Sequence, residues 1–499
     1  MRLRFPWLCL WLCARCSHAV PAAPCARDDD CPNGECAASE LAHTADLQPP
    51  TLHCLPNETG DGAGPGAPCE QASDCDRRLC LVSGYCTQAC VQADDCALSS
   101  DCGQGLVLGV ERSHPQQVCL PRPPTAFEAG GITYDVRPIL GPLHEQPATI
   151  SLVGTDRPAV YIVQYLGTPA WPFSGLCRPP LCPLQLRAKQ HPDPPLYDLS
   201  TADSQTDNPI AQWPFAFPLT VYVGNGAAPT YDDEGYLLTL LSETAGDLRI
   251  TQVRRTTTAV APENLQIDLD FYYVGTTLAP SGERGPQPLA LALDELERIF
   301  SAAGIAVGAV RQRTVPGAIV DRGLTFADED PRAGFGTLRS GYGVWPELPA
   351  LLRLSAGSGA RAVPLFLIAD IEGMGDGAVQ ALSGGIPGPL GVHGTGASGI
   401  AIATDTLLAK PSALGRTLAH ELGHFLGLMH TTEYDGSAHD PLTDTPACPL
   451  AADGDGDGRL TSDECTAYDG QNLLFWAQSS GVALSTSQIR VLRQAPILY

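Results

Sequence analysis

Residues 420–430 read HELGHFLGLMH. His420 and His424 are four apart, His430 lies six further on, Glu421 follows the first histidine, and Gly427 separates the second from the third. Pro411-Ser412 supplies a helix start, and Leu414, Leu418, Leu422 and Leu426 form an apolar stripe at helical spacing. Residues four apart share a helix face, so the imidazoles of His420 and His424 can grip one small cation while Glu421 points toward its open side. Gly427 permits a left-handed residue that ends the helix, after which the chain can turn and return His430 as a third nitrogen. Three protein nitrogens leave the fourth position of a tetrahedral zinc to water, the arrangement of a catalytic site. The rival reading is a set of unrelated helix histidines. A bare His-Glu-x-x-His recurs by chance, but the longer pattern fixes more positions and follows a strand-like run.

That run is SGIAIATD, Ser398 to Asp405, preceded by the Gly-rich SGGIPGPLGVHGTGA. Upstream, LQIDLDFYYVG, IAVGAVRQR and AVPLFLIADI read as strands, and PLALALDELERIFSAAG as an amphipathic helix with Leu289, Leu293, Leu296 and Phe300 on one side. Alternation of helix and strand predicts an α/β layer over 262–499. Between 121 and 261 the pattern changes to short strands separated by turn residues, ATISLVG, AVYIVQYLG, PLTVYVGN, YLLTLLS and DLRITQV, which predicts a β-sandwich-like region. Cys177 and Cys182 in CRPPLC read as a local pair, with an inhibitory cysteine on the metal as the alternative.

The first 120 residues are of another kind. MRLR, the apolar FPWLCLWLCA and Ser17-His18-Ala19 form an export-signal pattern over 1–19, too short to span a bilayer. Twelve of the 19 cysteines lie between Cys25 and Cys119, a density that belongs to an oxidising compartment. They fall into three units, Cys25/Cys31/Cys36/Cys54, Cys69/Cys75/Cys80/Cys86 and Cys90/Cys96/Cys102/Cys119, each opening Cys-x5-Cys. Two bridges per unit is the simplest count, with three pairings open in each; zinc is the rival, weakened by the lack of Cys-x2-Cys knuckles. Disulfides take the place of a core in this 20–120 module, which is poor in large apolar residues. The net charge of -25 argues against nucleic acid, which needs a basic footprint. No segment is apolar enough for a membrane helix. Lys189 and Lys410 are the only lysines, and with abundant Ala, Gly and Pro this is the composition of a GC-rich bacterial genome. A secreted, extracellular location is expected.

A second cation site is written in DGDGDGRLTSDE, Asp453 to Glu464. Asp453, Asp455 and Asp457 stand at positions one, three and five of the calcium-loop template, Gly458 at six, Arg459 supplies a backbone carbonyl, Thr461 fills position nine and Glu464 position twelve. An acidic solvated turn is the plainer alternative. Cys448 and Cys465 bracket the loop and could bridge, contributing about 3 kcal/mol on a chain-entropy argument. His393 and His439 read as ordinary loop histidines. Asp440 is a less fitting third metal ligand than His430, and Asp444 is expected to brace the loop or a ligand.

HELGHFLGLMH resembles the metzincin zinc-metallopeptidase signature, and HDPLTDTPACP, His439 to Pro449, is similar to the pappalysin/cytophagalysin branch, in which an Asp-Thr-Pro segment follows the third histidine. The resemblance covers about 262–499. It implies a twisted sheet above the helix, a zinc ion on His420, His424 and His430, and Glu421 as general base and acid. It also implies an edge strand that receives an extended peptide, matched here by Ser398, Gly399, Ile400, Ala401 and Ile402 of SGIAIATD. Members of the family carry an Asn-x-Met-x-Tyr-like turn beneath the zinc. NLLFW, Asn472 to Trp476, is the best match, with Leu474 in the methionine position and Trp476 in that of the tyrosine.

The expected protein is thus multidomain: a signal peptide, disulfide-rich repeats, a β-sandwich-like middle region and a metzincin-like α/β zinc peptidase domain. Its expected activity is a secreted endopeptidase using Zn2+, with Ca2+ as a second ion and a peptide or protein as substrate. Rivals from other classes are a non-catalytic adhesion or binding protein with a vestigial structural zinc site, and a zinc hydrolase of non-peptide amides.

Overall fold

The computed structural model describes residues 264–499 apart from 316–336, 339–347, 372–378, 405–406, 441 and 478–480. Before residue 257 it describes the strands named below, turn residues beside them, and short stretches between Cys69 and Cys90. The signal pattern over 1–19 and the Cys177/Cys182 pair lie outside the described residues.

The C-terminal part begins with β1 (Leu265–Val274), then α1 (Gln287–Phe300), β2 (Ile305–Thr314), α2 (Leu348–Arg353), β3 (Ala362–Ile368), β4 (Ala381–Ser383), β5 (Ile400–Ala403), α3 (Pro411–Phe425) and α4 (Thr486–Gln494). One five-stranded sheet has the order β2-β1-β3-β5-β4. The first four strands run parallel and β4 pairs antiparallel with β5. Both faces are covered, which is why β1 and β3 read as near-continuous apolar runs rather than as alternation. Leu265, Ile267, Leu269, Phe271, Leu365, Leu367, Ile400 and Ile402 join Leu289, Leu293, Leu296, Leu414, Leu418 and Leu422 of α1 and α3 in one core. Tyr272, Val274, Phe366, Ile368, Ala401 and Ala403, one residue out of step, form a second core with Leu351 and Leu352 of α2.

This topology corrects the assignment of Ser398, Gly399, Ile400, Ala401 and Ile402 as an edge strand. β5 is paired on both sides, by β3 and by β4, and Ser398, Ile400, Ala401 and Ile402 are fully buried. The end of the sheet beside it is β4.

Within 126–255 the described strands form two antiparallel sheets. One has five strands, Leu219–Val223, Ala159–Leu166, Asp247–Arg255, Ile132–Ile139 and Ala126–Ala129 in that order; the other has four, Tyr197–Asp198, Gln185–Ala188, Tyr236–Leu240 and Ala148–Leu152. The expected boundary at 261/262 does not divide the packing. Ile132, Tyr134, Val160, Ile162 and Val253 of the five-stranded sheet belong to the same core as α1 and α3. Tyr134 donates its hydroxyl to the Gly391 carbonyl at 2.8 Å, and Arg255 donates to the Ala495 carbonyl at 2.7 Å.

The cysteine repeat has a structural counterpart. In each unit the third and fourth cysteines face one another across an antiparallel pair: Cys36 and Cys54, Cys80 and Cys86, Cys102 and Cys119. In the second unit the bridges are Cys69–Cys80 and Cys75–Cys86, first to third and second to fourth, so these sulfurs are not free as zinc thiolates. The same four cysteines are buried in the second core, against the outer face of the sheet.

Because the five-stranded antiparallel sheet and the histidine helix share one core, they should unfold together. Ile162→Ala, a fully buried truncation, should cost about 2–5 kcal/mol and lower a single calorimetric transition. Two separate transitions, of which only one moves, would contradict this.

Candidate metal centre

Helix α3 places Pro411 in its first turn, where a missing N–H costs nothing, and buries Leu414, Leu418 and Leu422 completely. It ends in a Schellman turn: Gly427 N–H bonds the His424 carbonyl and Leu428 N–H the Gly423 carbonyl, both at 2.9 Å. Gly427 has φ 113°, a conformation that favours glycine. The turn does what the spacing predicts and brings His430 back to the helix face.

His420 Nε2 lies 3.0 Å from His424 Nε2 and 3.3 Å from His430 Nε2. A ligand atom from each of the three histidines lies within 4.8 Å of the others. Their tautomers follow from what backs each ring. His420 Nδ1 donates to the Leu473 carbonyl at 2.7 Å, His424 Nδ1 to the Leu428 carbonyl at 2.7 Å, and His430 Nδ1 to Glu433 Oε1 at 2.9 Å. Carbonyls and carboxylates only accept, so the protons sit on Nδ1 and the three Nε2 lone pairs face inward. Burial holds His420 at about 3 and His424 well below the usual histidine range, with the charges of neighbouring imidazoles adding to the effect. Lone pairs brought together in this way are matched only by a cation. With Zn–N bonds of about 2.0–2.1 Å, nitrogens on a tetrahedral ion sit roughly 3.3 Å apart, so the donor set fits zinc.

Glu421 is 8 % exposed. Burial raises its carboxyl to about 7, opposed by the charge of His430 and a hydrogen bond from the Ser383 backbone N–H. Ser383 belongs to β4, so the end strand of the sheet reaches the carboxylate directly. Beneath the helix, Leu474 is fully buried and approaches Gly423 closely: a Cβ there would meet Leu474 Cδ2 at 3.1 Å. The Leu474 carbonyl accepts from Thr431 N–H at 2.9 Å. Leu473 and Leu474 therefore hold both His420 on the helix and the segment that follows His430. Trp476 points its indole N–H elsewhere, to the Leu460 carbonyl at 2.7 Å.

The acidic loop adopts a ligand-ready shape in part. Asp453, Asp455 and Glu464 offer oxygens within 4.8 Å of one another. Asp453 accepts from Gly456 and Gly458 N–H at 2.7 and 2.9 Å, with Gly458 at φ 80°. Asp457 is outside the converging group and accepts from Arg459 N–H at 2.7 Å, while Thr461 donates both its N–H and its hydroxyl to Glu464. Those Thr461 donors, with Gly454 N–H, hold Glu464 at about 2. The oxygen-only set fits calcium. Cys448 and Cys465 are bridged around it.

None of the other residues singled out near the motif joins the three-histidine group. Asp444 does not back a ligand; it accepts from Ser485 Oγ and Ser487 N–H, both at 2.9 Å, at the start of α4. His393 bonds the Gly359 carbonyl at 2.9 Å, and His439 is exposed. Asp440 is buried, accepting from Thr445 Oγ1 and Leu442 N–H. Glu433 went unnoticed in the sequence; a carboxylate three residues after the third histidine was the available signal. No family model and no curated protein matches the chain.

Desolvation raises Asp440 to about 7, with the charges of Asp469 and Asp444 adding to the rise and hydrogen bonds opposing it. A folded pKa above the unfolded value means that the native state binds the proton more tightly. Its contribution to stability is complete below about 4 and is lost as pH rises through about 7. Asp440→Asn should flatten the fall in melting temperature between about pH 4 and about pH 7. A mutant whose pH profile parallels the wild type would remove Asp440 as the cause.

Proposed function

We propose that the chain is a secreted zinc-dependent endopeptidase of metzincin type, similar to the pappalysin/cytophagalysin branch, in which His420, His424 and His430 hold the ion. The observation that carries this reading is the convergence of three inward Nε2 atoms beside a buried carboxylate on the same helix. The pairing of cysteines and the absence, among the described residues, of a helix long and apolar enough to cross a membrane agree with export.

When bound, zinc supplies a Lewis acid that polarises a carbonyl and lowers the pKa of water to about 7. Glu421 then acts as base: its carboxylate takes a proton from the attacking water and delivers it to the departing amine nitrogen. Ser383 N–H keeps that carboxylate in place. An extended peptide would lie along β4, Ala381–Ser383, as an added strand. Calcium on Asp453, Asp455 and Glu464, with Asp457, Arg459 and Thr461 in supporting positions, would stiffen the segment between the zinc ligands and the Leu473–Leu474 floor.

Wild-type protein should cleave casein, and a zinc chelator should stop it. Glu421→Ala should lower kcat/KM by a factor of about 10²–10⁴ while the metal content stays at one zinc per chain. Cleavage by that variant at the wild-type rate would refute the role of Glu421. Zinc-loaded wild type that cuts nothing would favour the non-catalytic binding protein. Calcium should raise the melting temperature of the zinc-loaded chain, and Glu464→Gln should remove most of that gain; a melt insensitive to calcium would reduce the loop to a solvated turn.

A further inference from the structure

The three imidazoles are not backed alike. His420 and His424 lie on α3, are 8 % and 5 % exposed, and hand their Nδ1 protons to backbone carbonyls. His430 lies on the loop after the helix, and its side chain is 24 % exposed. Its Nδ1 proton goes to a charged group, the Glu433 carboxylate, at 2.9 Å. Glu433 is itself anchored: its N–H bonds the Ala438 carbonyl at 2.8 Å, and its carbonyl accepts from Gly436 N–H at 2.9 Å. The next residue, Tyr434, accepts from Leu460 N–H at 2.7 Å. The main chain that carries the carboxylate is thus a closed turn, while the side chain itself is 39 % exposed and held by its bond to His430.

We propose that Glu433 is the positioning residue of the metal centre. This rests on the zinc reading above and adds to it that a charged group on the loop contributes to how firmly the ion is held. Glu433 fixes the His430 ring with Nε2 facing His420 and keeps the proton on Nδ1. Its negative charge makes Nε2 a stronger donor, because charge withdrawn by the ion is compensated through the ring. A peptide carbonyl behind His420 or His424 fixes orientation but carries no formal charge. His430 is therefore the ligand whose support a side-chain substitution can remove, and Glu433 supplies that support.

The test is competition for zinc between the intact chain and a chromophoric chelator, with wild type, Glu433→Gln and Glu433→Ala. Glu433→Ala should bind zinc about 10–100-fold more weakly. Glu433→Gln, which keeps an acceptor for Nδ1–H and loses the charge, should fall between. The visible absorption bands of the cobalt-substituted protein should shift in Glu433→Ala and less in Glu433→Gln. Excess zinc should return casein cleavage by Glu433→Ala toward the wild-type rate, a rescue that a misfolded variant would not show. Wild type that binds zinc beside a Glu433→Ala of equal affinity overturns the proposal and leaves the zinc reading standing. Wild type that takes up no zinc overturns both.

Discussion

Three hydrogen bonds on the far sides of three imidazole rings carry the centre. Each removes Nδ1 as a competing ligand, sets a tautomer and aims a lone pair, and together they bring Nε2 atoms to 3.0–3.3 Å along two of the three sides. Neutral rings do not choose that arrangement for one another's sake. It holds because the acceptors behind them are fixed by other parts of the fold. Leu473 lies in the turn beneath α3, Leu428 in the Schellman turn that ends it, and Glu433 in the closed turn beyond His430. A displacement of any acceptor by an ångström would turn a ring away from the common point.

Those acceptors are steady because α3 is pressed between layers. Its leucines meet the parallel sheet on one side, and Leu474 closes on Gly423 from below. The five-stranded antiparallel sheet of residues 126–255 extends the same core, while the second cysteine unit covers the sheet's outer face. Of the regions that read as separate modules, the antiparallel sheet packs into the core that holds the histidine helix, and the cysteine unit packs on the opposite face of the parallel sheet.

The helix, its glycine stop and the return of His430 were legible because they rest on local rules: a period of 3.6, a residue free to take positive φ, and the reach of a short turn. The sheet edge was not. SGIAIATD was matched to an edge strand through the family resemblance alone, and its own periodicity does not reveal how many neighbours a strand has. The deciding element, Ala381–Ser383, is three residues long, too short to register as a pattern. Asp444 does brace its loop, but the partners through which it does so were illegible for a similar reason. Its partners, Ser485 and Ser487, are more than forty residues away in sequence, and no spacing rule links them. Glu433 was within reach, since its contact with His430 is local, but a lone loop glutamate resembles any solvated charge.

Leu474 beneath Gly423 has a chemical consequence apart from packing. A thioether in that position would be open to oxidation, and the sulfoxide formed would set a polar, bulkier group against the helix that carries two of the imidazoles. Leucine has no sulfur to oxidise. The support beneath His420 and Gly423 is therefore closed to the one-oxygen chemistry that would turn a thioether polar.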